Sequence, residues 1–510
     1  MNELNRIPLA VNHSMQVLTA AGGAPYLVGG AVRDLIMGKE PHDYDIASDL
    51  VPEQVLSALK NNNIPVVEKL GNNFGVVVGL FDGLPIEIVT FRNEVYGPGD
   101  AHRPEWVTFS KTIEEDLSRR DFTMNAMALD LAGNLIDPFG GRENIRRKVL
   151  RTVGDPALRY TEDPLRMYRA CRFVSQLGFT YTENNSAEAS PVFVRKDFWK
   201  DCNARNLSME RVRQEMEKLL PGKYADKGLS LLMTSGLIHS PFAVKKKGKL
   251  VYEAPLDMLS HLENLEQNPN YHMYDTWGHT LQAVCNVPQD LKLRWTMLFH
   301  DAGKGLETIR RVNPNTGMPT DRRHELESFR MVSEALSAFG YNDSFVKEVS
   351  WLVKNHMYMP DVLVMKKRSL RRWIHRKIAD FRTQKDMLAA FTALEIVFTA
   401  DMTASRHGEE EQKKMHEKME FVLQTIKTQT PVHSSDLAIK GSVILDMIRG
   451  TELEIRDVYA GLLKQVQDGV IKNEEAALIE VVRNKVLREQ ERMKVDEHGN
   501  KGLPGLPDET

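Results

Sequence analysis

The sequence predicts an α+β protein, an α/β head followed by a long, mostly helical body. Short apolar runs bounded by Gly, Asn and Asp turn signals crowd the first 150 residues. Beyond Arg151 they give way to segments with apolar residues at helical spacing. The chain has 510 residues, more than one hydrophobic core accommodates, so several domains are expected.

Taken in order, YLVGG (26–30), FGVVVGLF (74–81) and PIEIVTF (85–91) read as strands. MNAMALDL (124–131) fits a strand or a helix equally well. DPLRMYRACRFVSQLG and MERVRQEMEKLL carry the helical period, and KKKGK (245–249) reads as an exposed linker. A second helical block spans about 252–428 and a shorter one 434–488. The last stretch, EQERMKVDEHGNKGLPGLPDET, is polar and contains Gly and Pro, which predicts disorder. The expected domains are a head at 1–150, a helical neck at 151–250, a third domain at 251–430, a helical tail at 431–488 and a disordered end at 489–510.

Composition narrows the function. The net charge of −3 excludes a globally basic nucleic-acid binder, so any RNA contact must come from local basic patches. Cys171, Cys202 and Cys285 are odd in number and form no C-x-x-C pair, which suits a reducing compartment. The N-terminal residues lack the basic-then-apolar pattern of a signal peptide, and no apolar run approaches the roughly 18 residues of a membrane span. A cytoplasmic protein without membrane contact is expected, as a monomer or homodimer.

The chemistry concentrates in LVGGAVRDLIMGKEPHDYDIAS (27–48). Gly29 and Gly30 fall between a strand and a helix, where backbone N–H groups unshielded by a Cβ approach a phosphate closely. Arg33, one turn into that helix, places a fixed positive charge beside the same phosphates. Asp43 and Asp45, two apart, face one side of a strand and supply the paired hard oxygens of a two-magnesium phosphoryl-transfer site. Glu87, alone in an apolar strand, is a candidate third ligand, unless it lies exposed on an edge. A lone Gly-Gly is usually a turn, and a lone D-x-D a solvated loop. The ordered combination carries the inference.

Gly29-Gly30-Ala31-Val32-Arg33-Asp34 followed by Asp43-Tyr44-Asp45 resembles the signature of class II tRNA nucleotidyltransferases and bacterial poly(A) polymerases. These belong to the polymerase-β-like nucleotidyltransferase superfamily. The resemblance continues through DLSRRDFTMNAMALD, DPFGGRENIRRKVLRTVGDP and TEDPLRMYRACRFVSQLGF, covering about 25–240. It implies a polymerase-β-like head that adds CCA to the 3′ end of tRNA from CTP and ATP with magnesium. It places Arg120, of an Arg-Arg-Asp group expected to open a helix, at the nucleotide. It makes Asp163 and Arg166 of E-D-x-x-R the protein template that selects C and then A, with Arg169 and Arg172 as nearby nucleotide contacts. Locally, Asp163 also reads as a helix N-cap ahead of Pro164. Relatives that add only CC have shortened the loop between the strand glutamate and Arg-Arg-Asp. Here that loop (92–109) is long and contains Arg103, favouring complete CCA addition over CC-only addition, with A-only and poly(A) addition kept as alternatives.

A second constellation, His279, His300-Asp301 and Asp401, has the pattern H…HD…D, with His324 and His356 between. Imidazole with carboxylate suits a transition metal and a hydrolytic water. The stretch 270–405 resembles the HD phosphohydrolases, which implies nickel, cobalt or manganese and, as an alternative principal activity, phosphatase or cyclic-phosphodiesterase chemistry. The basic runs RENIRRKVLR (142–151) and KKRSLRRWIHRK (366–377) are candidate RNA-phosphate contacts, with solvated helix faces as the ordinary alternative. The tail resembles the family segment that grips the tRNA elbow.

Overall fold

The computed structural model describes residues 7–67, 75–95, 106–182, 198–202, 204–246 and 248–499. It divides into two compact units: Met1–Asn268 with Tyr274–Val349, and Pro269–Met273 with Ser350–Thr510.

The first unit opens with helix α1 (Leu9–Ala20) and strand β1 (Tyr26–Val28), then α2 (Gly30–Ile36), β2 (Asp45–Ser48), α3 (Pro52–Asn61) and the hairpin of β3 (Val76–Phe81) and β4 (Leu84–Thr90). Strands β5 (Arg92–Val95) and β6 (Trp106–Phe109) pair antiparallel, so the ends of the long predicted loop are ordered as a hairpin; 96–105, including Arg103, lie outside the described residues. Then come α4 (Ile113–Ser118), β7 (Ala128–Leu129), β8 (Leu135–Ile136) and α5 (Gly141–Arg146). The head sheet has the order β3-β4-β2-β1-β7-β8, with β2 parallel to β4 and antiparallel to β1. Its strands alternate as half-buried strands do: in β4, Ile86, Ile88 and Thr90 are buried while Glu87 between them is exposed. Val28, Ala47, Phe91, Leu117 and Ala128 close one core beneath the turn that follows β1.

A short parallel pair, β9 (Val149–Leu150) with β10 (Thr180–Tyr181), flanks α6 (Pro156–Glu162) and α7 (Leu165–Leu177). After α8 (Phe198–Asp201) come α9 (Met209–Leu219) and α10 (Ala225–Thr234), which pack on α7. Gly222 and Gly228 permit this approach, since a Cβ on either would fall within 2.7 Å of α7 atoms. The predicted linker 245–249 is instead a hairpin of β11 (Phe242–Lys246) and β12 (Lys249–Glu253), turned at Gly248 with φ 78°. The lysine run hid two short strands because its charges decorate the tip. Helices α11 (Thr276–Asn286), α12 (Leu291–Phe299) and α13 (His324–Ala338) complete the unit.

Helix α14 (Asp343–Asn355) contains the point of division, so the predicted 251–430 domain is shared between the units. The second unit holds α15 (Met359–Val364), α16 (Lys367–Lys377), α17 (Gln384–Ala404), α18 (Glu409–Gln429), α19 (Gly441–Ile448), α20 (Ile455–Gln467) and α21 (Glu475–Gly499). By length and composition α17 is apolar enough to cross a membrane, contrary to the sequence expectation. It is half-buried, with Met387, Phe391, Leu394, Val397 and Phe398 in the core, as for a core helix. The tail has its own core of Leu437, Ile444, Leu462, Leu478 and Val482. Its last helix runs through Gly499, past the predicted end at 488; Arg492 pairs with Glu489 at 3.1 Å and Glu452 at 3.2 Å. Residues 489–499 of the end expected to be disordered are thus helical, and 500–510, with most of its Gly and Pro, lie outside the described residues.

Candidate active site

The turn after β1 is built for close approach. Gly29 has φ 72° and ψ −132°, a conformation L side chains avoid, and Gly30 starts α2. Register places Val28 opposite Asp45, and Asp45 beside Glu87 of the parallel strand β4. A Cβ on Gly29 would sit 3.0 Å from Arg120 Nη1 and 3.8 Å from Asp45 Oδ2, so turn, cation and carboxylate meet at one point. Strand β2 begins at Asp45, so Asp43 lies just before it in an exposed position, rather than on the strand as expected.

Burial raises the Asp45 carboxyl to about 6, and the charges of Glu87 and then Asp43 add to that rise against the opposing Arg120. Three carboxylates thus repel one another across adjacent backbone. A hard divalent cation relieves that repulsion, and the all-oxygen donor set fits magnesium. Glu87 faces solvent on a non-edge strand, so its place in the strand needs no burial penalty to explain it.

Arg119 and Arg120 close α4 instead of opening a helix; Arg119 is its C-cap. Both are pinned by Asp116, buried at their feet: Arg119 Nη2 donates to Oδ1 at 2.7 Å and Arg120 Nη2 to Oδ2 at 3.0 Å. Burial alone would raise the Asp116 carboxyl, but the two guanidinium charges hold it below the ordinary range. Arg33 is oriented by Asn125, whose Oδ1 accepts from Nη1 at 3.0 Å, and by Asp34. Its guanidinium lies 5.6 Å from the Phe173 ring, over which Arg172 also sits at 4.1 Å and Arg169 at 5.7 Å. One aromatic ring therefore gathers three of the predicted nucleotide-binding arginines.

Asp163 occupies extended backbone between α6 and α7. Its Oδ1 accepts the Leu165 N–H at 3.1 Å, the capping role, and its Oδ2 accepts from Arg211 of α9 at 2.9 Å. Arg166 is buried and donates to the Arg159 carbonyl, Glu162 and the Arg119 carbonyl at 3.2, 2.9 and 2.9 Å. Arg169 donates to Asp121 at 2.7 Å, and Arg172 lies 3.0 Å from Glu215. Desolvation opposes ionisation of Asp121, yet Arg169, Arg166 and the Phe122 N–H bring its carboxyl down to about 2.

In the first unit His279, His300 and Asp301 converge. His279 Nε2 and His300 Nε2 are 3.1 Å apart, and Asp301 Oδ2 lies 3.6 and 3.4 Å from them. His324, outside the predicted four, brings Nε2 to 2.9 Å from Asp301 Oδ1, and Lys304 reaches Oδ2 at 2.7 Å. His300 Nδ1 lies 2.7 Å from the Met297 carbonyl and His324 Nδ1 2.8 Å from the Asp321 carbonyl. Nδ1–H donation to those carbonyls leaves each Nε2 lone pair facing the cluster, the orientation of metal-ligating histidines. All four groups are buried. This donor set fits a borderline transition metal. Asp401 belongs to the second unit, buried on α17; His356 there is also buried, its Nδ1 2.7 Å from the Val353 carbonyl.

Sequence reading missed Asp116, Asn125, Arg211 and Glu215 as partners, and noted His324 without counting it among the four ligands. Only Asp116 carried a local signal, an acid four residues before Arg120 on a short helix.

Comparison with known proteins matches three segments of the chain. Residues 25–151 match the poly(A) polymerase head domain, 203–243 the probable RNA and SrmB-binding site of polymerase A, and 252–401 the HD domain. The CCA-adding enzyme of Geobacillus stearothermophilus is 44% identical over 354 residues, 64% of this chain and 83% of the relative. That of Geobacillus sp. WCH70 is 42% identical over 237 residues, 46% of this chain; there, as for several other relatives, the match spans about half of the relative's length (55%). Among solved structures, the Bacillus stearothermophilus CCA-adding enzyme in complex with CTP aligns over 97% of this chain and 100% of that one, with TM-score 0.59 and 24% identity. The Thermotoga maritima CCA-adding enzyme complexed with tRNA aligns over 95% and 97%, with TM-score 0.53 and 18% identity. These structural likenesses concern the fold.

Proposed function

Because the chain belongs to the CCA-adding enzyme family, we propose that it completes the CCA end of tRNA, joining CMP, CMP and AMP to the 3′ terminus and releasing pyrophosphate at each step. The observation that carries the chemistry is the register of Asp45 with Glu87 beside the Gly29 turn and Arg120. Magnesium held by Asp43, Asp45 and Glu87 would lower the pKa of the attacking 3′-hydroxyl and neutralise charge on the triphosphate. The backbone N–H groups at Gly29 and Gly30 would bind the phosphates, and Arg33 and Arg120, fixed by Asn125 and Asp116, would balance their charge.

Base selection follows from hydrogen-bonding edges. Cytosine and adenine each present an exocyclic amino group beside a ring-nitrogen acceptor, whereas uracil and guanine present a carbonyl beside a ring N–H. A carboxylate acceptor with a guanidinium donor matches the first pair and opposes the second. Asp163 and Arg166 supply those groups. Among the described residues Arg166 makes three bonds, which leave its Nε–H and one Nη2–H for a base. Incubation with tRNA lacking CCA and one labelled nucleotide tests this: CMP enters first and AMP only after it, and incorporation of UMP or GMP at comparable efficiency contradicts the assignment.

The histidine cluster supports a second reading for a separate activity. Its preset Nε2 lone pairs favour nickel, cobalt or manganese over magnesium. A metal there would activate water for phosphoester hydrolysis. The test is stoichiometric metal content of the purified protein and its loss in Asp301→Ala.

A further inference from the structure

Helix α16 carries a charge pattern that its own stability does not explain. Between 366 and 377 the chain places Lys366, Lys367, Arg368, Arg371, Arg372, Arg376 and Lys377, in a protein of net charge −3. Leu370, Trp373 and Ile374 are buried on one side, while Lys366, Lys367, Arg368, Arg371, Arg372 and Arg376 are exposed. Arg368, Arg372 and Arg376 are spaced i, i+4, i+8, so like charges stack along one stripe, which destabilises a helix. Lys366, Lys367 and Arg368 also crowd the N-terminal end, where the macrodipole disfavours cations; no acid lies in that first turn and no side chain caps it. His375 has a carboxylate neighbour, Asp468 at 3.7 Å, but among the described residues the outward stripe has none within ion-pair distance. Lys367 and Arg371 differ: they lie 5.3 and 5.6 Å from the Phe421 ring.

We propose that Arg368, Arg372 and Arg376, with the uncapped N-terminus of α16, form a binding surface for the phosphate backbone of the RNA substrate. The proposal rests on the tRNA reading above. Phosphates relieve both penalties at once, the like-charge stacking and the cations at the wrong helix end. The choice of Arg suits phosphate, which it binds in a fork. A membrane surface fits less well, because the apolar face of the helix is already buried in protein and has nothing to insert.

The experiment uses the full chain carrying Arg368→Gln, Arg372→Gln and Arg376→Gln, and measures direct binding of tRNA lacking CCA across a salt series. Three lost phosphate contacts reduce the slope of log K against log salt by about two to three units, with affinity down roughly tenfold or more at physiological salt. The melting temperature stays the same or rises, because like-charge pairs are removed. Arg330→Gln, exposed but paired with Glu327 and Glu334 and outside every segment read as contacting RNA, leaves the slope unchanged. Wild-type slope and affinity in the triple variant overturn the proposal, as does a fall in melting temperature or a loss confined to anionic vesicles. If the wild type itself binds no tRNA, the functional reading falls too; if it binds and the triple variant binds equally, only this surface falls.

Discussion

Gly29→Ala tests whether the turn after β1 is the hinge-point of the site. The backbone there, φ 72° and ψ −132°, is a region that non-glycine residues enter at a cost of about 1–3 kcal/mol. The added methyl would also stand 3.0 Å from Arg120 Nη1, tighter than ordinary contact, and Arg120 cannot swing away without loosening its 3.0 Å bond to Asp116. Strain alone lowers the melting temperature by a few degrees. Displacement of the cation acts on the chemistry, where a misplacement of about 1 Å costs roughly a hundredfold. The expected result is a modest stability loss with kcat/KM for CTP down about ten- to a hundredfold. Gly30→Ala is the companion: its Cβ would be 3.7 Å from Arg33 Nη2, ordinary contact, and its φ is not in the positive range. That variant keeps the wild-type melting temperature yet raises KM for CTP, because the methyl occupies the side a phosphate approaches. Thermal melts and steady-state kinetics on both decide. A Gly29→Ala enzyme with wild-type stability and turnover within twofold refutes the reasoning.

Other consequences can be checked separately. Asp43→Ala or Asp45→Ala abolishes nucleotide incorporation while tRNA binding, measured directly, is largely retained. Asp163→Ala lowers the kcat/KM preference for CTP and ATP over UTP and GTP roughly ten- to a hundredfold, the value of a bidentate base contact. Arg211→Ala, which frees Asp163 Oδ2, lowers it in the same direction and Arg211→Lys restores part; unchanged preference in Asp163→Ala would leave that residue only its capping role. For Asp121 the folded carboxyl titrates at about 2, below its unfolded value, so its stabilisation is complete above about pH 4 and fades as pH falls towards 2. Asp121→Asn accordingly flattens the acid limb of the stability profile, by about 2 kcal/mol; an unaltered limb contradicts the pairing with Arg169 and Arg166. Asp301→Ala loses the transition metal and any phosphohydrolase activity but retains magnesium-dependent CCA addition; if a folded Asp301→Ala stops addition, the two centres are coupled.

What was legible in the sequence was local. Gly29, Gly30, Arg33, Asp43 and Asp45 lie within seventeen residues, so spacing alone placed them near one turn. Glu87 could be noticed only as a misfit in an apolar strand; its partnership with Asp45 is a matter of parallel register, which no local pattern encodes. The partners that hold the arginines were silent for the same reason. Arg211 meets Asp163 from 48 residues away, Asn125 meets Arg33 from 92, and an isolated acid or amide gives no sign of such a role. Errors came where polar composition was taken for absence of structure: the hairpin at 242–253 and the end of α21 both carry charged residues that form pairs, Lys246 with Glu253 and Arg492 with Glu489. In the histidine cluster the H…HD spacing made His279, His300 and Asp301 legible, whereas the contact of His324 with Asp301 is made by the fold of α13.

The central claim is that this head adds C, C and A in that order and stops. Sequencing the 3′ ends of tRNA lacking CCA after incubation with substrates withheld in turn tests it most directly. With CTP alone the account predicts ends in CC and no further; with ATP alone it predicts no addition to the bare end, but a single A on tRNA already ending in CC; with both it predicts CCA and nothing beyond. A single A added only to ends in CC, with CTP never used, or a run of A residues on any end, would contradict it.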